Sequence, residues 1–265
     1  MKVRDIAAAI EQFAPLALQE SYDNSGLIVG SPDAEIRGGV LLAVDVTDAV
    51  LDEAIERGCD MVITHHPIIF HPLKRLNNKT MVERCVMRAI RHDIALYACH
   101  TNLDSAVGGM SWQLGKQLGL EAMEVLEPSD DEGNGFGVVG ELAAEVSVDE
   151  FFALLRERVG VEVVRHSAVA RPTVRRVAVC TGSGSSMMEA ARRALCDVYV
   201  TADLRYNDFY LPDGAFTVVD IGHFESEFCA INLIFDILSK TFINFAPQKS
   251  SNSTNPVLYH TTRGQ

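Results

Sequence analysis

The first half of the chain alternates short unbroken apolar runs with longer stretches whose apolar residues recur every three or four positions. Val40-Leu41-Leu42-Ala43-Val44 is an apolar run of the kind that a sheet covered on both faces requires. Thr47 then offers a hydroxyl cap to a helix over 48–57, and Gly58 closes it. A strand at 61–64, a helix over 80–92, a strand at 94–99 and a helix over 111–118 follow. Ahead of them, Ile6, Ile10 and Phe13 mark an amphipathic first helix within 1–18. Strand and helix in regular alternation predict an α/β fold with a largely parallel sheet.

In the second half, residues 127–140 are rich in Gly, Asp and Ser and read as a linker or turn. A helix over 151–159 comes after Ser147 and Asp149, and 161–164 and 176–180 read as strands. An internal repeat then emerges. The strand, turn, helix, Cys-Asp, strand and Thr of 40–64 recur at 177–201, a constant spacing of 137 residues. The next strands repeat at a spacing of 123, so that His100-x-x-x-Asp104 corresponds to His223-x-x-x-Glu227. The expectation is two similar α/β lobes, about 1–125 and about 126–265, whose strand ends meet.

Charge and composition narrow the function. The net charge of −13 disfavours nucleic acid, which needs clustered Lys and Arg. A small anionic substrate stays open if a metal supplies positive charge. No stretch approaches the ~18 apolar residues of a membrane span, and the N-terminus lacks the layout of a signal peptide. The six cysteines show no C-x-x-C spacing and fall mostly in apolar segments, as for buried thiols in a reducing cytoplasm.

The candidate chemistry lies at strand ends, where open α/β sheets place their sites. His65 and His66 leave a buried strand together and meet Pro67. Burying imidazoles is costly, and metal ligation is a common reason to do so. Asp104 follows the strand ending at Cys99, and His223 follows the strand ending at Ile221. Glu227 shares a helix face with His223. Three histidines and two carboxylates exceed the needs of one tetrahedral ion and suggest two divalent ions about 3.5–4 Å apart. Zn, Mn, Fe, Co or Ni suit this mixture better than Ca. His100, Asp45 and Asp203 stand behind the five as groups that orient ligands or substrate. The Gly182-Ser183-Gly184-Ser185-Ser186 turn reads first as a capped tight turn and second as a phosphate cradle. Without a Ser-His-Asp or Cys-His set, water is the natural nucleophile, and no side chain is assigned a catalytic role.

The segments Thr64-His65-His66-Pro67-Ile68-Ile69-Phe70, His100-Thr101-Asn102-Leu103-Asp104 and Gly222-His223-Phe224-Glu225-Ser226-Glu227 resemble the signature of the Nif-three-like dinuclear-metal-centre family. Its bacterial members are often labelled GTP cyclohydrolase type 2 homologues. Tyr22-Asp23-Asn24-Ser25-Gly26-Leu27, 179–185, 200–206 and Thr254-Asn255-Pro256 extend the resemblance over nearly the whole chain. It implies a Nif-three-like fold without the inserted middle domain of longer members. It also implies metal ligands at His65, His66, Asp104, His223 and Glu227, between the lobes, and a toroidal homohexamer. The implied activity is metal-dependent hydrolysis of a purine nucleotide such as GTP. The rival is a metal-handling or regulatory ring without turnover, and a third reading is a structural ring with an adventitious site. Two positions depart from the family pattern: Ala202 stands where Gly is common and Asn207 where His is common.

Overall fold

A computed structural model describes residues 1–260. In chain order the elements of the first half are α1 (Val3–Phe13), β1 (Gly26–Val29), β2 (Val40–Ala43), α2 (Asp48–Glu56), β3 (Met61–Thr64), α3 (Met81–Arg91), β4 (Ala95–Ala98), α4 (Thr101–Ser105) and α5 (Met110–Leu118). Then come β5 (Leu120–Pro128), β6 (Gly135–Ser147), α6 (Val148–Val159), β7 (Arg165–His166), β8 (Thr173–Ser183), α7 (Met188–Arg193), β9 (Val198–Ala202), β10 (Thr217–Asp220), α8 (His223–Glu227), α9 (Cys229–Thr241) and β11 (Gln248–Lys249). They form two compact units. The first is Met1–Met110 with Phe228–Ser253, and the second is Ser111–Glu227 with the chain from Thr254 onward.

The first unit holds a sheet in the order β1-β4-β3-β2-β11, parallel throughout except for β1. Its central strands are buried along their whole length, as their unbroken apolar runs require. Leu41, Val62 and Leu96 pack with Val50, Leu51 and Ala54 of α2 and with Val86 and Ala89 of α3. Thr47 and Thr80 cap these helices by accepting from Val50 N and Glu83 N, each at 3.2 Å. The apolar helix α9 packs on α1 and β2. Full burial of its Ile234 and Leu238 is worth about 1.5–3 kcal/mol each. That helix returns 228–253 to the first unit, so the division falls at Met110/Ser111 and not near residue 125.

The second unit holds a mixed sheet in the order β5-β6-β8-β9-β10-β7, with β8, β9 and β10 parallel. One face packs on α5 and α6 through Leu114, Leu118, Phe151 and Leu155, and the other on α7 through Ala190 and Ala191. Residues 127–140 are not a linker. They form the end of a long β5–β6 hairpin whose turn is organised by Asp130, which accepts from Asn134 N at 3.0 Å. Residues 161–164 are not a strand, and the edge of the sheet is the two-residue β7.

The repeat is visible in hydrogen-bond register. Val40 pairs with Met61 in one unit and Val177 with Val198 in the other, again 137 residues apart. The aspartate of each Cys-Asp clips the entrance to the preceding strand. Asp60 Oδ2 accepts from Arg37 N and Gly38 N at 2.6 Å, and Asp197 Oδ2 accepts from Arg175 N at 3.0 Å and Arg176 N at 2.9 Å.

Candidate metal centre

In the first unit the chain turns sharply at the end of β3, and the N–H groups of His65 and His66 both donate to Val44 O at 3.1 Å. This turn overrides the usual opposition of successive strand side chains and leaves the two rings with centroids 4.9 Å apart. His65 is fully buried, and its Nδ1 donates to Cys99 O at 2.7 Å. His66 Nδ1 donates to Asp45 Oδ1 at 2.8 Å, and His100 Nδ1 donates to Asp23 Oδ1 at 2.6 Å. A carbonyl or carboxylate oxygen only accepts, so each ring carries its proton on Nδ1 and turns Nε2 into the ligating nitrogen. The three imidazoles offer nitrogens within 4.8 Å of one another. Asp104, on α4, brings Oδ1 to 3.8 Å from His65 Nε2.

In the sequence Asp23 stands out only as one residue of the Tyr22-to-Leu27 stretch that extends the resemblance. It is the keystone of this half. Its buried carboxylate accepts from His100 Nδ1, Asn24 N, Ser25 Oγ, Thr101 N and Thr101 Oγ1. Burial alone raises its pKa, but the bonds from His100 and Thr101 and the His100 charge hold it well below the usual carboxylate range. The signal was present in Tyr22-Asp23-Asn24-Ser25, yet a separation of 77 positions between Asp23 and His100 hides the partnership.

In the second unit, β10 ends at Asp220, and Gly222 at φ 88° turns the chain into α8. His223 and Glu227 are one helical turn apart, with Nε2 and Oε2 separated by 2.9 Å. His223 Nδ1 donates to Asp203 Oδ2 at 2.8 Å, and Asp203 sits in the left-handed region at φ 55°. Burial depresses the His223 pKa, but the bond to Glu227 and its charge, followed by Asp203, outweigh burial and raise it to about 9. Nearly buried Glu227 has room because residue 182 is glycine. A Cβ there would lie 2.3 Å from Glu227 Oε1, and φ is +64°. Gly182 N donates to Ser226 Oγ at 2.9 Å, and the space over Gly184 is filled by Thr201 Oγ1 and the Tyr199 hydroxyl. The glycine-rich turn is therefore packed against α8 and does not cradle a phosphate.

The structure thus brings His65, His66, Asp104, His100 and Asp45 together in one unit, and His223, Glu227 and Asp203 in the other. His100, expected behind the ligands, has the same Nδ1 arrangement as the ligand candidates. The departures Ala202 and Asn207 are respectively buried in β9 and exposed on the turn after it. These donors are imidazoles with carboxylate or carbonyl oxygens behind them, a set that fits a divalent transition ion or zinc.

Comparison with known proteins assigns the family. The model of the DUF34/NIF3 (NGG1p interacting factor 3) family matches residues 1–256. The chain belongs to the DUF34/NIF3 family. A GTP cyclohydrolase 1 type 2 homolog of Clostridium perfringens is 35% identical over 231 residues, covering 86% of this chain and 87% of its own. One from Clostridium acetobutylicum is 32% identical over 265 residues, covering 97% and 98%. Among solved structures, a Bacillus cereus protein related to NIF3 superposes with a TM-score of 0.89 at 23% identity, covering 98% of this chain and 99% of its own. The NIF3-like fold and the α/β class follow. Among the described residues, no helix is long and apolar enough to cross a membrane.

Proposed function

We propose that this NIF3-family chain is a metal-dependent hydrolase of purine nucleotides. His65, His66, Asp104, His223 and Glu227 would hold two divalent ions in a common centre. The observation that carries the reading is how the imidazole rings are held. Four histidines at strand ends have Nδ1 held by a carbonyl or carboxylate, the arrangement that orients a metal-ligating imidazole. Bound ions would supply Lewis acidity, lowering the pKa of a water nucleophile and stabilising the developing oxyanion. The chain's part is to orient: Cys99 O fixes His65, Asp45 fixes His66, and Asp203 fixes His223. Thiol attack is disfavoured. Burial raises the pKa of Cys99 and of Cys59, that of Cys85 to about 11 and that of Cys196 to about 12. The relatives' names, GTP cyclohydrolase 1 type 2 homologs, support a purine nucleotide as substrate. The family resemblance supports a homohexameric ring, and six buried cysteines suit a reducing cytoplasm.

The test is turnover of GTP by protein loaded in turn with Mn, Zn, Fe and Co, beside Glu227→Ala. The reading expects turnover with at least one ion and its loss, together with bound metal, in the variant. Full metal occupancy without turnover under any loading would overturn the hydrolase and favour a metal-handling ring.

A further inference from the structure

The segment that leaves His66 carries two features that the metal centre does not use. The first is aromatic. Phe70 lies with its ring centroid 6.0 Å from His100 and 6.3 Å from Tyr22. Both rings are large and open to solvent, Tyr22 at 64% and Phe70 at 40% exposure. They are not strays on a loose loop, because Asn24 Nδ2 donates to Ile69 O at 2.6 Å and ties the segment to the Asp23 turn that holds His100. An ordered, exposed aromatic pair beside candidate metal ligands offers π-faces to a planar ring.

The second feature is cationic. Two residues beyond Phe70 begins a groove of about 590 Å³ whose lining includes Leu73, Lys74, Arg75, Asn77, Lys79 and Glu83. On a chain of net charge −13 it gathers three cations within six residues against one carboxylate. That carboxylate is engaged in shaping the groove: Glu83 Oε2 accepts from Asn77 N and Lys79 N, both at 3.0 Å, around Asn78 at φ 64°. Neighbouring arginines are neutralised, Arg84 by Asp48 and Arg88 by Asp48 and Asp52. Among the described residues, Lys74, Arg75 and Lys79 have no ion pair within 4 Å. Cations outside close ion pairs in a formed groove suit the oxygens of a polyphosphate. Phe70 and Lys74 are at most about 14 Å apart along an extended backbone, so one ligand can touch both features.

We infer that Tyr22 and Phe70 stack the base of a purine nucleoside di- or triphosphate while Lys74, Arg75 and Lys79 hold its phosphates. This assigns a substrate subsite and rests on the nucleotide reading above. Ring and phosphates are bound by separate parts of one segment, so their contributions separate by mutation. Among the described residues, truncating Lys74, Arg75 and Lys79 removes no side-chain hydrogen bond or ion pair.

Calorimetric titration of the metal-loaded full chain with GTP, guanosine and inorganic triphosphate tests it. The triple variant Lys74→Ala, Arg75→Ala, Lys79→Ala is expected to weaken GTP and triphosphate binding at least about tenfold and leave guanosine unchanged. Phe70→Ala is expected to weaken GTP and guanosine about tenfold and leave triphosphate unchanged, with Phe70→Trp restoring both. A GTP affinity unaltered in either alanine variant, or no GTP binding by the parent protein, overturns the subsite. The two readings fail separately. GTP binding with this split but without turnover leaves the subsite standing and removes the hydrolase. Turnover at the parent kcat/KM in both variants does the reverse.

Discussion

A single hydrogen atom at residue 182 decides whether Glu227 has a place. Gly182→Ala puts a methyl 2.3 Å from Glu227 Oε1 on backbone at φ +64°, so the carboxylate must move. The expected outcome is a folded protein, judged by circular dichroism, whose metal affinity falls tenfold or more by competitive chelation. Unchanged affinity would show that Glu227 is not a ligand. Asp23 is the second residue at which a small change has a large expected effect. Asp23→Asn keeps the shape but removes the charge that fixes the His100 tautomer. Loss of such an orienting partner costs about 10–100-fold in metal affinity or activity. A variant with parental metal affinity and kcat/KM would relegate His100 to packing. The sequence displayed the ligand candidates because histidines at strand ends are conspicuous. It concealed Asp23, since a turn aspartate that holds a distant imidazole is written like any Asx turn.

Between elements, one buried carboxylate fastens the segment after β11. Glu53, in α2, accepts from Ser250 Oγ, Ser251 N and Oγ, and Asn252 N and Nδ2, and it pairs with Arg57. Burial raises its pKa, but the Ser250 hydroxyl, the Ser251 N–H and hydroxyl and the Asn252 N–H outweigh that and lower it to about 2. A depressed folded pKa contributes stability that is fully present above the unfolded value near 4.5 and is lost as pH falls toward 2. Denaturant titrations of the parent and Glu53→Gln should therefore differ by roughly 3 kcal/mol at pH 7 and converge only as the pH falls below about 2. A difference independent of pH would contradict the assignment.

The clips at the two Cys-Asp sites belong to the same scale. Asp60→Asn and Asp197→Asn should each cost about 1–3 kcal/mol in thermal or denaturant unfolding. Equal stability in parent and variants would show that the repeated aspartates are not structural. The buried parallel strands and capped helices were legible because apolar runs and Thr caps mark them locally. The β5–β6 hairpin was not, because β5 is half-exposed and mixes Glu with apolar residues, so its turn signal dominated the reading. The return of α9 to the first unit is likewise a packing choice that no local pattern states.

For the whole molecule, the charge of −13 and a mass of 29.0 kDa per chain make assembly measurable. Light scattering should give six times that mass in moderate salt if the proposed ring forms, and a monomer would exclude it. The duplicated register of the two sheets explains how one chain comes to carry two donor sets, each fixed within its own unit before any ion binds. Anomalous diffraction from metal-loaded crystals tests the central claim most directly. The account predicts two peaks per chain about 3.5–4 Å apart, ligated by His65, His66, Asp104, His223 and Glu227. Peaks elsewhere, or none at those side chains in fully loaded protein, would contradict it.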